Sequence, residues 1–348
     1  MSSMMDRLKK TSSVEIASVL ENSEVFGERQ NCPTEVPIIN IALSGTLKGG
    51  LTSGVTQIAG PSKHFKTGLA LLLMRSFQTA HKDGAILFYD SEFGSPPAYF
   101  DTFGVDKKKV FHTPITDVEQ LKHDIMIQLA EAKRGDPLMI VIDSIGQLAS
   151  LKEVEDAIEG KSVADMTRAK AIKSLFRMIT PHLKIKDIPL VVINHTYKEI
   201  GMFPKDIVGG GTGSYFAADT IWIVGRQQEK VDGKVEGFNF VLNIEKSRQV
   251  KEKSKFPVTA IFDYGIEQYS GLLQIALDGG FVEKPSPGWY IKKGEKTKVR
   301  EADTKDMAFW KDILENEAFN EYVRKTFQVA YGDILAADPD ADTTEKGK

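Results

Sequence analysis

The stretch Gly60-Pro-Ser-Lys-His-Phe-Lys-Thr67 constrains this chain more than any other. The apolar run before it, Val55–Ala59, reads as a buried strand, and Leu69-Ala-Leu-Leu-Leu-Met74 after it reads as the core face of a helix. A strand, a turn and then Lys-Thr at a helix start is the order of a phosphate-binding loop. Backbone N–H groups at the helix N-terminus face an anion there, and the helix dipole favours its charge. In that reading Gly60, Pro61, Ser62, Lys63, His64, Phe65 and Gly68 form the cradle. Lys66 reaches the β- and γ-phosphates and the Thr67 hydroxyl ligates Mg²⁺. Phe65 stands where such loops usually carry glycine, and a bulky side chain is hard to fit if the backbone needs positive φ there.

The surroundings of this loop predict an α/β fold. Strand-like runs at Val55–Ala59, Ala85–Asp90, Leu138–Asp143 and Leu190–Asn194 alternate with helical patterns over 66–80, 117–133 and 163–179. That alternation argues for a mostly parallel, twisted sheet covered by helices on both faces. Further strands at Thr220–Val224, Phe238–Ile244 and Val258–Asp263 have no helices between them and should extend the sheet antiparallel. Ser162 and Asp165 are placed to cap the 163–179 helix, and Pro181 to end it. Residues 1–34 read as an N-terminal helical element and linker, and 35–270 as the core. Residues 271–335 read as a small α+β unit, with a basic hairpin from Trp289 to Arg300 and two short helices, and 336–348 as an acidic, disordered tail. With 348 residues there is material for one large core and a smaller addition.

Two further strand ends carry carboxylates. Asp143 closes Met139–Asp143 and is placed to support the metal; Glu92, in Phe88-Tyr-Asp-Ser-Glu92, is placed to orient the water that attacks the γ-phosphate. His195 follows the strand at 190–194, and all these ends should meet at one sheet edge. Between His195 and residue 220 lies a long irregular stretch holding Met202, Phe203 and the glycines Gly209, Gly210 and Gly211, a candidate binding loop. Segment 161–186 has seven basic residues, Lys161 and Arg168 among them, against one acidic, which suits a phosphate-tracking groove. The net charge of −3 requires any nucleic-acid site to be such a local patch. A single cysteine, Cys32, excludes an internal disulfide and suits a reducing cytoplasm. No apolar run reaches transmembrane length and no apolar signal region follows the N-terminus, so no membrane partner is expected.

Taken in order, these residues resemble the RecA/Rad51 class of homologous-recombination ATPases, and within it the phage recombinases, where Phe65 is a family variant. The resemblance spans roughly residues 25–330 and includes Tyr89-Asp-Ser-Glu-Phe-Gly94, Ile142-Asp-Ser-Ile-Gly146 and Glu245-Lys-Ser-Arg-Gln-Val250. It implies an ATP- and Mg²⁺-dependent protein that polymerises on single-stranded DNA, pairs it with homologous double-stranded DNA and exchanges strands. A mediator and a single-strand-binding protein are implied as further partners. Residue by residue, it implies that Tyr99 stacks on adenine and that His195 couples the γ-phosphate to DNA. DNA loops fall near 151–165 and 198–213. Lys246 and Arg248 reach a neighbour's ATP, and the N-terminal helix, with Val25 and Phe26 as anchors, docks on the next copy. A ring-shaped replicative helicase, a non-catalytic accessory paralogue and a small-molecule kinase remain alternatives on the same core.

Overall fold

Gly54–Ala59 is buried at every position, as the middle strand of a doubly covered sheet must be. We analysed a computed structural model of the chain, which describes residues 3–27, 29–161, 166–199, 201, 206–231 and 234–329. The N-terminal part holds α1 (Met4–Thr11) and α2 (Pro37–Ser44). The core continues as β1 (Gly54–Ala59), α3 (Lys66–Ala80), β2 (Ala85–Asp90), α4 (Pro97–Thr102), β3 (Val110–Pro114), α5 (Val118–Glu131), β4 (Leu138–Asp143), α6 (Leu151–Ile158), α7 (Thr167–Lys186) and β5 (Pro189–Asn194). A ribbon of β6 (Thr196–Lys198) and β7 (Asp206–Val208) leads through α8 (Thr212–Ala217) into β8 (Thr220–Val231), β9 (Lys234–Ser247), β10 (Lys255–Ile261) and β11 (Gly265–Ile266). The C-terminal part is α9 (Leu272–Asp278), β12 (Val282–Ser286), β13 (Trp289–Lys292), β14 (Val299–Arg300), α10 (Met307–Glu315) and α11 (Glu317–Phe327).

The main sheet has nine strands in the order β11-β10-β9-β8-β1-β5-β4-β2-β3. From β3 to β8 neighbours pair in parallel, so the strand at Thr220, expected in the antiparallel extension, joins the parallel part through β1, and β9, β10 and β11 extend the sheet antiparallel. Successive side chains alternate between its faces. Met139 and Val141 enter the apolar layer under α2 and α3, whereas Ile140 and Ile142 enter the layer under α5 and α7. The parallel pairs put the carboxyl ends of β1, β5, β4 and β2 at one edge: Ala59 lies opposite Asn194 and Asp90 opposite Asp143.

Several expectations need correction. Pro181 lies inside α7, which runs on to Lys186 and ends at Asp187 in the left-handed conformation. Proline removes one helical N–H. Pro181 is exposed, however, and the stripe of Ile172, Leu175, Phe176 and Ile179 continues to a fully buried Leu183. That apolar burial holds the last turn in place. Ser162 and Asp165 lie outside the described residues; α7 starts at Thr167 with Met166 at its cap position. Helix α2 was not anticipated, although Pro37 at its first turn and Gly45 (φ 74°) at its end are ordinary helix boundaries. Cys32, assigned to the linker, is buried and bridges to Leu51.

The hairpin from Trp289 to Arg300 forms as β13 and β14, with β12 added on its other side. The C-terminal elements share the core's apolar layer, through Phe256 on Phe327 (5.1 Å) and Tyr269 on Trp310 (6.0 Å). The expected tail, 336–348, and residues 330–335 lie outside the described residues. No helix among the described residues is long and apolar enough to cross a membrane.

Candidate active site

The phosphate loop connects the buried end of β1 to the start of α3. Its turn requires the left-handed region at Lys63 (φ 62°) and Phe65 (φ 59°), neither of which is glycine. The Phe65 side chain lies flat on Phe240, ring centroids 4.9 Å apart and 13° between planes. Gly68 leaves room for it: a Cβ there would stand 2.6 Å from the Phe65 ring. Phe65 therefore does adopt the conformation that made it look unsuitable. No side chain caps α3, so its first-turn N–H groups face the cleft without an internal acceptor. His64 Nδ1 donates to the Ser62 carbonyl at 2.9 Å and Gly60 N–H to the Asn194 carbonyl at 3.3 Å, which tie down the turn.

Residues Ser62 to Gly68 line a cleft of about 340 Å³ together with Glu92, Tyr99, Asp143, Ile193 and His195. Lys66 is 7% exposed and its Nζ donates to the Pro61 carbonyl at 2.8 Å. Burial lowers its pKa, against the pull of Glu92 and Asp143. The Thr67 hydroxyl donates to Asp143 Oδ2 at 2.8 Å. Asp143 is 3% exposed and its Oδ1 has no hydrogen-bond partner. Burial pushes its pKa up to about 7, with Thr67 and Lys66 pulling the other way. A buried carboxylate oxygen without a donor, beside a hydroxyl, fits Mg²⁺, which takes one or two protein oxygens and fills its octahedron with phosphate and water.

Glu92 sits beyond β2, where Asp90 shapes the turn: Asp90 Oδ1 accepts the N–H groups of Glu92 (3.0 Å) and Phe93 (2.8 Å). Glu92 Oε1 accepts from His195 Nε2 at 2.8 Å and from the Ser144 hydroxyl at 2.6 Å. The His195 bond, ahead of Ser144 and Lys66, holds the Glu92 pKa below its ordinary value although burial opposes it. Sequence reasoning placed Glu92 and His195 at converging strand ends but did not foresee that they bond to each other. Nor did it single out Asp90 or Ser144, although both stand in the strand-end motifs that carried Glu92 and Asp143.

Tyr99, from α4, lines this cleft and packs edge-on against Phe103 (5.2 Å, 86°). It also lines an adjoining cavity of about 540 Å³, where Phe262 and Tyr264 of the turn after β10 form another wall.

The basic pair lies elsewhere. Lys246 Nζ donates to the carbonyls of Tyr215 (2.8 Å) and Phe216 (3.1 Å) at the end of α8. Arg248 Nε pairs at 2.8 Å with Asp219, which also accepts the Val55 N–H at the start of β1 (3.0 Å). Arg248 thus sits at the amino end of β1, opposite the phosphate loop, whereas Lys246 is level with Gln57 in mid-strand and reaches the end of α8.

Of the seven basic residues of 161–186, three bond to the protein's own backbone or to Asp219 and four are exposed. Arg168 donates to the carbonyls of Leu148 (2.6 Å), Gly146 (2.8 Å) and Ile145 (3.2 Å) and so braces the turn after β4. Lys184 pairs with Asp219 and Lys186 donates to the carbonyls of Leu129 and Ala132 at the end of α5. Lys161 is exposed and pairs with Glu159; Lys170, Lys173 and Arg177 are exposed on α7. Gly209 is tied to the end of β5, its N–H donating to the His195 carbonyl (2.9 Å) and its carbonyl accepting from Asn194 Nδ2 (2.8 Å). Gly210 (φ 85°) and Gly211 (φ 75°) turn the chain into α8. Met202 and Phe203 lie outside the described residues.

Comparison with known proteins covers nearly the whole chain. Residues 16–267 match the family model described as the RecA N-terminal domain. Residues 269–323 match that of the C-terminal domain of the bacteriophage T4 recombination and repair protein. The chain is 44% identical over 339 residues to the recombination and repair protein of Enterobacteria phage T4, which covers 94% of this chain and 87% of that protein. It is 26% identical over 328 residues to protein RecA of Streptomyces coelicolor (91% and 84%). With protein RecA of Kineococcus radiotolerans it shares 28% over 336 residues (92% and 91%).

Proposed function

Since this chain belongs to the RecA family and is a recombinase, we propose that it is a Mg²⁺-dependent, DNA-dependent ATPase working as a filament on single-stranded DNA. The observation that carries this reading is the convergence of Lys66, Thr67, Glu92, Asp143 and His195 on one cleft at the carboxyl edge of the sheet. The triphosphate lies along the phosphate loop, its β- and γ-phosphates against Lys66 and the first turn of α3. Thr67 and Asp143 would hold Mg²⁺, which would supply positive charge to offset that of the phosphates. Glu92, kept ionised by His195 and Ser144, orients and deprotonates the attacking water. Tyr99 offers its ring to the adenine.

His195 touches Glu92 through its ring and Gly209 through its backbone, so it is placed to report on the γ-phosphate to the loop at 198–213. Single-stranded DNA lies along that loop and along 151–165, where Leu151–Ile158 forms helix α6 and not the loop the resemblance implies, with Lys161, Gly209, Gly210, Gly211, Met202 and Phe203 among its neighbours. Arg168 supports the turn after β4 that leads into the segment at 151–165. Lys246 and Arg248 act on the next copy's ATP, so each active site is completed only by head-to-tail assembly. Such an open helix presents phosphate contacts and leaves sequence to base pairing with incoming double-stranded DNA. The host cytoplasm, with mediator and single-strand-binding proteins, is the setting this reading implies.

ATP hydrolysis measured with and without single-stranded DNA tests it. Turnover should rise on adding DNA and vanish in Lys66→Ala. Wild-type turnover in Lys66→Ala refutes the site, and turnover indifferent to DNA refutes the coupling.

A further inference from the structure

We propose that Phe65 is a positioning residue of the phosphate loop, held in its left-handed conformation by Phe240 and, through Lys63, by Arg226. Left-handed backbone is ordinarily supplied by glycine, and here two residues with side chains adopt it. Each is held from outside the loop by the paired strands β8 and β9. The Phe65 ring stacks on Phe240 of β9, with Phe103 at 6.0 Å on a second side and Gly68 leaving it space. The Lys63 carbonyl accepts from Arg226 Nη1 of β8 at 2.9 Å.

The two restraints are parts of one surface. Arg226 and Phe240 are register partners across β8 and β9, so they share a face of the sheet. The Arg226 guanidinium also lies 4.0 Å above Phe238, whose ring is 6.0 Å from that of Phe240. Neither Phe240 nor Arg226 is among the residues lining the cleft that Lys66 and Thr67 share. Their effect on a bound triphosphate therefore passes through the loop's backbone, whose N–H groups must converge on the phosphates. The usual loop reaches this geometry through glycine's freedom at the position before the lysine; this chain reaches it by clamping a ring.

The inference rests on the reading that residues 60–68 hold the triphosphate, and the test separates the two. Affinity for the slowly hydrolysed analogue ATPγS is measured by calorimetry without DNA, alongside thermal melts. Arg226→Ala, at an exposed position, should weaken binding about fivefold. Phe240→Leu should weaken it about tenfold while the protein stays folded. In the Phe65→Gly background the Phe240→Leu change should alter affinity by no more than about twofold, because glycine needs no wall. A purely packing role for Phe240 would not produce that rescue. If both single variants bind as wild type, or Phe240→Leu costs the same in both backgrounds, the inference falls. Lys66→Ala is the control for the site: loss of binding there sustains the reading of residues 60–68, whereas wild-type affinity there overturns that reading.

Discussion

Asp143 closes a buried strand with a carboxylate that satisfies only one of its oxygens. Thr67 donates to Oδ2, Oδ1 has no donor, and burial lifts the pKa from the 3.8 of an ordinary aspartate to about 7. Between those values the folded chain keeps a proton that the unfolded chain has lost, so this residue's contribution to stability falls as pH rises from about 4 to 7. The shift corresponds to at most about 4 kcal/mol. Neighbouring Glu92 has the opposite sign: its lowered pKa adds stability at neutral pH that is lost on acidification. Comparing a variant with the wild type separates the two. In the absence of nucleotide and divalent cation, Asp143→Asn should shift its melting midpoint toward higher values on going from about pH 5 to pH 7.5, relative to the wild type's own change over that interval. Identical pH profiles for the two proteins would show that Asp143 is not the strained group. The variant should also lose hydrolysis, because an amide is a poor ligand for Mg²⁺.

At the scale of elements, β1 separates the two halves of the chemistry. The phosphate loop leaves its carboxyl end, whereas Arg248 is held by Asp219 at its amino end, about 20 Å away along a strand of this length. No side chain spans that distance, so under the proposed head-to-tail assembly Arg248, with Lys246, serves another copy's nucleotide. Neither Lys66→Ala nor the double variant Lys246→Ala/Arg248→Ala should hydrolyse ATP alone. Mixed in equal amounts on single-stranded DNA, they should recover up to about a quarter of wild-type turnover, because that share of random head-to-tail contacts joins an intact loop to an intact basic pair. No recovery at any mixing ratio would argue that the pair acts within its own chain or only structurally. The elements carrying the cleft were also the legible ones. Ala85–Asp90, Leu138–Asp143 and Lys66–Ala80 have the bounds their sequence gives, because an unbroken apolar run ending in a polar residue is unambiguous. Helix α2 was hidden because Ile38, Ile39 and Ile41 favour strand as an isolated run and become helical only through burial against the sheet. The charges of 161–186 could be counted but not aimed: three of the seven turn out to serve the core, a fact set by tertiary neighbours and not by spacing.

At the scale of the molecule, α1 has no reason to persist on its own. Ser3 and Asp6 form a reciprocal cap and Lys9 and Lys10 suit the last turn, yet eight residues are too few for a stable isolated helix and none of them is buried. Met4, Met5 and Leu8 are 61%, 51% and 51% exposed. By contrast, Val25 is half-buried, and the carbonyl of Glu24 accepts from Arg134, so attachment to this chain's own core begins only near that point. Phe26, the other expected anchor, is exposed beneath the Arg29 guanidinium. A preformed apolar face on a tether suits docking on the next copy, where burying the three side chains would contribute roughly 2 kcal/mol each. Repeated at every contact, that is enough to decide whether an open helix grows, although it adds nothing to nucleotide binding within one copy. Removal of residues 1–19 should therefore leave ATPγS affinity and the melting midpoint unchanged. It should abolish filaments on single-stranded DNA in negative-stain micrographs, and with them the stimulation of hydrolysis by DNA. Filaments of wild-type length from the truncated chain would assign the joining surface to the core and leave α1 without a part in assembly.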